Sequence, residues 1–271
     1  MEGQEAYSVI LAKPEGVDRK ILIQVFREYS RINPNVSEIS AKNSAGFIAE
    51  KINKEEVLAL GKICSNLDVG IFIVSDAQVA ALPEPTVCKS IKCLPEDFQY
   101  SVDGASFSSV PWDQIAIVCA GSIEEEKINT STKKEGPSAL KKASSLALTA
   151  MTGIPISAGK TREVIKKIKQ TFFNNYLELI IQTEIHVRLK MNQESLDYSY
   201  LGHRREYSSL LNFRTALEDI NIFVANGLKN QVFLSILKRE ATSLHRYEDY
   251  RFFEKELRWL LTIHQLKNKR S

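Results

Sequence analysis

Apolar positions between residues 6 and 75 follow two alternating periods. "YSVILAK" is a strand-length apolar run, and after it Ile21, Val25, Phe26 and Tyr29 recur at helical spacing. Asp18 stands where a helix N-cap belongs, with Val17 and Leu22 placed as a hydrophobic staple. "AGFIAEKI" reads as a second strand. Asn53 then precedes a helix with Glu56 three positions on, the spacing of a capping box, and Ile52 and Val57 form another staple. The pattern predicts an inward face of Val57, Leu58, Leu60, Ile63 and Cys64 for this helix. Asp68 to Gly70 end it, and "GIFIVS" is a short, fully apolar third strand. The order is β-α-β-α-β.

"LPEPT" at 82–86 marks a boundary, since two prolines in five residues break regular structure. Beyond it the period is mostly two. "VCKSIKCL", "FQYSV" and "ASFSSVPWDQIAIVCAGSI" follow at short intervals, with the Asp-Gly of "VDGAS" as a hairpin turn. "YLELIIQT" and "EIHVRLKMN" are two further strands. A helix over about 208–225 would bury Leu211, Phe213, Leu217, Ile220 and Val224 and stop at Asn226–Gly227. A last helix over about 248–265 gathers Phe253, Leu257, Leu260, Leu261 and His264. Between the strand groups, 123–145 is rich in Ser, Thr and Lys with few apolar residues, a composition expected to remain flexible. The fold class is α+β, with an α/β module at 1–81. A β domain with C-terminal helices follows at 82–271, interrupted by a basic insertion at 123–170.

The first module, with its "GFIAEKINKEEVLALGKIC" turn from strand into capped helix, resembles the C-terminal domain of ribosomal stalk proteins and the ClpS-type adaptors. The strand series with "PWDQIAIV" entering one strand, and a helix after the last, resembles bacterial pleckstrin-homology-like domains over about 84–122 and 176–226. The second resemblance implies an antiparallel barrel or sheet with a helix at one end. Both imply binding or assembly, and neither family carries catalytic residues to transfer.

Composition sets the class. In 271 residues, 44% hydrophobic and 25% charged, the longest largely apolar stretch is "LALTAMTGIPI" at 146–156, too short to span a bilayer. "MEGQEAYSVILAKP" lacks the order of a signal peptide, so a cytoplasmic protein is expected. Cys64, Cys88, Cys93 and Cys119 form no C-x-x-C pair, and His186, His203, His245 and His264 are scattered, so neither a metal nor a cofactor is expected. Charge is uneven. Residues 127–169 carry ten basic and two acidic residues, a net +8, which leaves −5 for the remainder of a chain whose total is +3.

"GIPISAGKT" at 153–161 comes near a phosphate-binding loop. However, Gly153 and Gly159 enclose five residues where the motif has four, and Pro155 removes a backbone donor from the cradle. A nucleotide-dependent enzyme is therefore the weakest of the functional readings. "GKTREVIKKIKQTF" can form a helix with Val164, Ile165, Ile168 and Phe172 on one side and Lys166, Lys167 and Lys169 on the other. Such a helix packs on its own domain, docks a partner or lies on an anionic surface. Nucleic acid is disfavoured because no recognition motif accompanies it. Lys160, Arg162, Lys166, Lys167 and Lys169 are thus candidate surface-binding residues. Arg204 and Arg205 join them from the polar-aromatic stretch "DYSYLGHRREYSSLLNF", whose first reading is buried tyrosines that fix the strand-to-helix corner and whose second is a ligand-facing edge. "YEDYRFFEKELRWLL" (247–261) is apolar on nearly every helical face, so part of it serves the core and part is free for a partner or a second copy. With no complete catalytic constellation, the sequence points to a non-catalytic interaction or scaffold protein. Its partner is a protein, itself, or an anionic membrane surface, and no small-molecule ligand is identified.

Overall fold

The computed structural model describes residues 5–30, 34–135, 162–183, 186–240 and 246–269. The chain divides into two compact units, one of Met1–Glu124 with Phe173–Ser271 and one of Glu125–Phe172. The fold is α+β.

In the first unit β1 (Tyr7–Leu11) lies between β2 (Phe47–Ile52) and β3 (Ile71–Ser75), antiparallel to both. Helices α1 (Arg19–Ser30) and α2 (Pro34–Lys42) connect β1 to β2, and α3 (Lys54–Asn66) connects β2 to β3. The capping signals act as their residue types require. Asp18 Oδ1 accepts from the Lys20 N–H at 2.7 Å. Asn53 Oδ1 accepts from Glu56 N while Glu56 Oε2 accepts from Asn53 N, both at 3.0 Å.

Four successive β1 residues, Ser8, Val9, Ile10 and Leu11, are buried. Neighbours along a strand point to opposite faces, so both faces of the sheet are covered at its central strand β1. Val25, Leu60 and Cys64 of the local helices share β1's core. So do Leu257, Trp259 and Leu260 of the last helix, α6 (Tyr250–Asn268). The first 81 residues therefore share their core with the end of the chain.

Past residue 84 one extended stretch serves two sheets. Its first half, β4 (Pro85–Val87), pairs in parallel with β10 (Val187–Asn192). Its second half, β5 (Ser90–Cys93), opens an antiparallel series with β6 (Asp97–Ser101) and β7 (Ser108–Pro111). The β6–β7 turn is the Asp-Gly turn. Asp103 Oδ1 accepts from Ser101 Oγ and from the Ala105 and Ser106 N–H groups, and Gly104 sits at φ +88°. A 3-10 turn at Trp112–Gln114 leads into β8 (Ile115–Glu135), β9 (Arg162–Ile181) and β10. The larger sheet runs β11-β8-β9-β10-β4, where β11 is Leu228–Lys229, and β12 (Arg246–Tyr247) also pairs with β8. Helices α4 (Ser209–Phe223) and α5 (Gln231–Leu237) complete the chain order.

In the first unit the β8 and β9 strands of this larger sheet are also buried on both faces, and the alternation along β8 shows it. Ile117, Cys119 and Ile123 join the core shared with β1 and α6, whereas Val118 and Ala120 join a second core. On β9, Ile180 belongs to the first core, and Leu177, Leu179 and Ile181 belong to the second. Phe98, Trp112, Phe213, Leu217 and Phe233 fill that second core. Asn230 locks α5 to β8. Its Oδ1 accepts from Phe233 N and Ala120 N, and its Nδ2 donates to the Ala120 carbonyl at 2.7 Å.

Four sequence expectations change. Leu58 and Leu211 are 59% and 42% exposed, because Val57, Leu60 and Cys64 define the inward line of α3, and Phe213, Leu217 and Ile220 that of α4. Of the 123–145 segment expected to be flexible, residues 123–135 are strand, and 136–145 lie outside the described residues. A ladder needs backbone partners rather than a core, and β9 supplies them. Residues 162–169 are likewise strand, not helix. Val164, Ile165, Ile168 and Thr171 are β-branched and two phenylalanines follow, a composition suited to a pleated ladder. The near-phosphate loop at 153–161, including Lys160, lies outside the described residues. No helix among the described residues is long and apolar enough to cross a membrane.

Trp112 stacks on Phe223 at 4.9 Å between ring centroids, and its Nε1 donates to the Leu94 carbonyl at 2.8 Å. Trp112→Ala is expected to destabilise the fold by about 3–5 kcal/mol, read by denaturant melts. Unchanged stability would remove Trp112 from the core.

Candidate binding cavity

A cavity of the first unit lies between the 14–19 and 42–46 loops, the start of α5, β12 and one face of α6. Its volume is about 560 Å³, within the range of ligand sites. Phe252, Glu256 and Trp259 stand four and three residues apart on α6, so one helical face reaches the cavity. The adjacent side of the helix, about 100° round, carries Phe253, Leu257 and Leu260 into the core that Trp259 also joins.

Trp259 is held rigidly. Its Nε1 donates to the Leu11 carbonyl at 2.8 Å, and Gly46, at φ +85°, lies against the indole. A Cβ on Gly46 would stand 1.9 Å from the ring, so only glycine fits this close approach. Leu11, Val17, Leu22 and Val232 extend the apolar lining.

The polar lining is mostly self-satisfied. Tyr247 OH donates to Glu256 Oε2 and receives a hydrogen bond from Asn230 Nδ2 at 3.3 Å. Burial pushes both the Tyr247 hydroxyl and the Glu256 carboxyl above their ordinary ranges, although the Tyr247 hydrogen bond pulls Glu256 partly back. Lys42 Nζ pairs with Glu248 at 2.7 Å, and Ser44 Oγ donates to the Ala41 carbonyl at 3.1 Å. Arg246 differs. Its Cζ lies 3.8 Å from the centre of the Phe173 ring, its Nε is buried without an acceptor, and no described carboxylate pairs with it.

A second cavity of about 460 Å³ is lined by Arg188, Arg251, Lys255 and Arg258. Its charges are already matched. Arg188 pairs with buried Glu178 and with Glu254, Arg251 pairs with Asp249, and Lys255 and Arg258 share Glu50.

The sequence-selected candidates fall in separate places. Arg204 holds Asp219 through two hydrogen bonds of 2.7 and 2.8 Å, and Tyr200 OH donates to the same carboxylate at 3.1 Å. Tyr198 OH donates to the Gln193 carbonyl at 2.9 Å, so Tyr198 and Tyr200 fix this corner, whereas Tyr207 is exposed. Arg205 is exposed beside it. Arg162, Lys166, Lys167 and Lys169 are on β9. Cys64, Cys88, Cys93 and Cys119 are free, and burial pushes their thiols up, to about 11 for Cys64 and about 12 for Cys88 and Cys93. Among the described residues, no group of three or more His, Cys, Asp or Glu residues could hold a metal ion. The cavity itself escaped the sequence reading, because its walls come from positions up to 248 residues apart. The only signal was surplus apolar character on the 247–261 helix.

Compared with known proteins, the chain matches no family model, no curated protein and no solved structure.

A carboxyl whose pKa is raised by folding gives stability below its unfolded value and loses it as pH rises through the folded value. Glu256→Gln removes that loss. The melting temperature of the variant minus that of the wild type is therefore expected to grow as pH rises above the ordinary carboxylate range. A constant or shrinking difference would mean that Glu256 is charged at no cost.

Proposed function

We propose that the chain is a non-catalytic binding module that takes a segment of a partner protein into the cavity beside Trp259. One observation carries the reading: an open, largely apolar cavity whose key wall is rigid before anything enters it. A preformed site avoids the ordering penalty that weakens flexible ones. The pleckstrin-homology-like resemblance points the same way. The split strand β4–β5, the antiparallel β5–β6–β7 series and α4 after β10 support it. A cytoplasmic location belongs to this reading and is supported by the four free cysteines.

Selection from a displayed library of random peptides tests the proposal. Enriched peptides are expected to bind the wild type and to lose roughly tenfold or more in affinity to Val17→Trp, which fills the cavity. Equal binding to a folded Val17→Trp variant would place recognition elsewhere.

A second reading rests on charge. The Glu125–Phe172 unit carries ten basic and four acidic residues, which makes it an electrostatic footprint for an anionic surface. Flotation with anionic vesicles should then fall with salt and with Lys166→Glu, Lys167→Glu and Lys169→Glu combined. Flotation that ignores both would remove this reading.

A further inference from the structure

Arg246 is the unusual group in the cavity wall. The charges around it are accounted for: Lys42 pairs with Glu248, Glu256 receives the Tyr247 hydroxyl, and Asp18 caps α1. Glu15 and Arg19 are exposed and of opposite sign. Among the charged groups that line this cavity, Arg246 alone combines partial burial with a guanidinium that has no anionic partner among the described residues, and its Nε lacks any acceptor.

Its position is also fixed. The backbone of Arg246 is paired with Ser122 of β8, and the flat face of the guanidinium lies on Phe173. A guanidinium held by its face keeps its N–H edge for a planar, two-oxygen acceptor, which is the shape of a carboxylate. A phosphate dianion would call for more positive charge than this single group provides. The same cavity offers Trp259, Phe252 and Val17 for an apolar group.

We infer that the occupant presents a carboxylate beside a bulky apolar side chain, with the carboxylate on Arg246 and the apolar group against Trp259 and Phe252. This rests on the cavity being the recognition site. The carboxylate comes from a chain terminus or from an aspartate or glutamate side chain, and two probes separate these sources.

The test titrates the full chain, followed by NMR, with N-acetyltryptophan, N-acetyltryptophanamide and N-acetyl-aspartyl-tryptophanamide. At least one carboxylate probe is expected to bind about tenfold more tightly than the neutral amide. The probe that does so identifies a terminal or a side-chain carboxylate. Arg246→Gln should erase the difference, Arg246→Lys should restore part of it, and Val17→Trp should abolish binding of every probe. Equal binding of all three probes to the wild type, with loss in Val17→Trp, would overturn the carboxylate inference and leave the cavity as the binding site. Discrimination that persists in a folded Arg246→Gln variant would overturn it too. Absence of binding, or binding indifferent to Val17→Trp, would overturn both the inference and the proposed function.

Discussion

The β8–β9–β10 sheet is buried on both faces where it crosses the first unit, at Ile117–Ile123 of β8 and Leu177–Ile181 of β9, and the rest of that unit follows from it. A sheet with apolar residues at successive positions needs a layer on each side. One layer is the second core under α4 and α5, and the other is α6. The N-terminal sheet has the same need, since β1 is buried at consecutive positions. It finds its second cover in that helix as well. A single helix thus closes two sheets, which accounts for its apolar residues on more than one side.

Close approach makes this sharing work. Gly121 on β8 faces Phe253, and a Cβ there would stand 2.6 Å from the ring. Gly46 plays the same part beneath Trp259 on the other side. The polar seam under α6 is matched with equal care. Glu178 is fully buried on β9 and would be costly alone, but it meets Arg188 from β10 and the Tyr250 hydroxyl from α6. Burial pushes Glu178 above the usual carboxylate range while Arg188 draws it back. Lys190 lies over the Tyr250 ring, 3.7 Å from its centre, which adds a further tie between the sheet and the helix.

Local chemistry was legible in the sequence. The Asn53–Glu56 capping box, the Asp103–Gly104 turn, the alternating strands and the corner tyrosines follow from neighbours a few residues apart. Val164, Ile165, Ile168 and Phe172 satisfy a helical period as well as a strand composition, so only the pairing partner decided between them. Long-range matching was not legible. Nothing near Arg204 indicates that Asp219 will hold it, and nothing near Trp259 indicates Leu11 and Gly46. The cavity is the product of such distant meetings. A helix apolar on several sides showed that more than one surface would cover it, without showing which.

If α6 is the common wall, the two sheets of the first unit open together. Native-state hydrogen exchange tests this through the amides of Val9 and Ile10 in β1 and of Ile117 and Val118 in β8. The account requires both pairs to open with the same free energy, and Leu260→Ala, which removes a buried contact of α6, to lower both by the same amount. Exchange of the β1 amides through a smaller opening that leaves β8 protected, or a Leu260→Ala effect confined to one sheet, would contradict it.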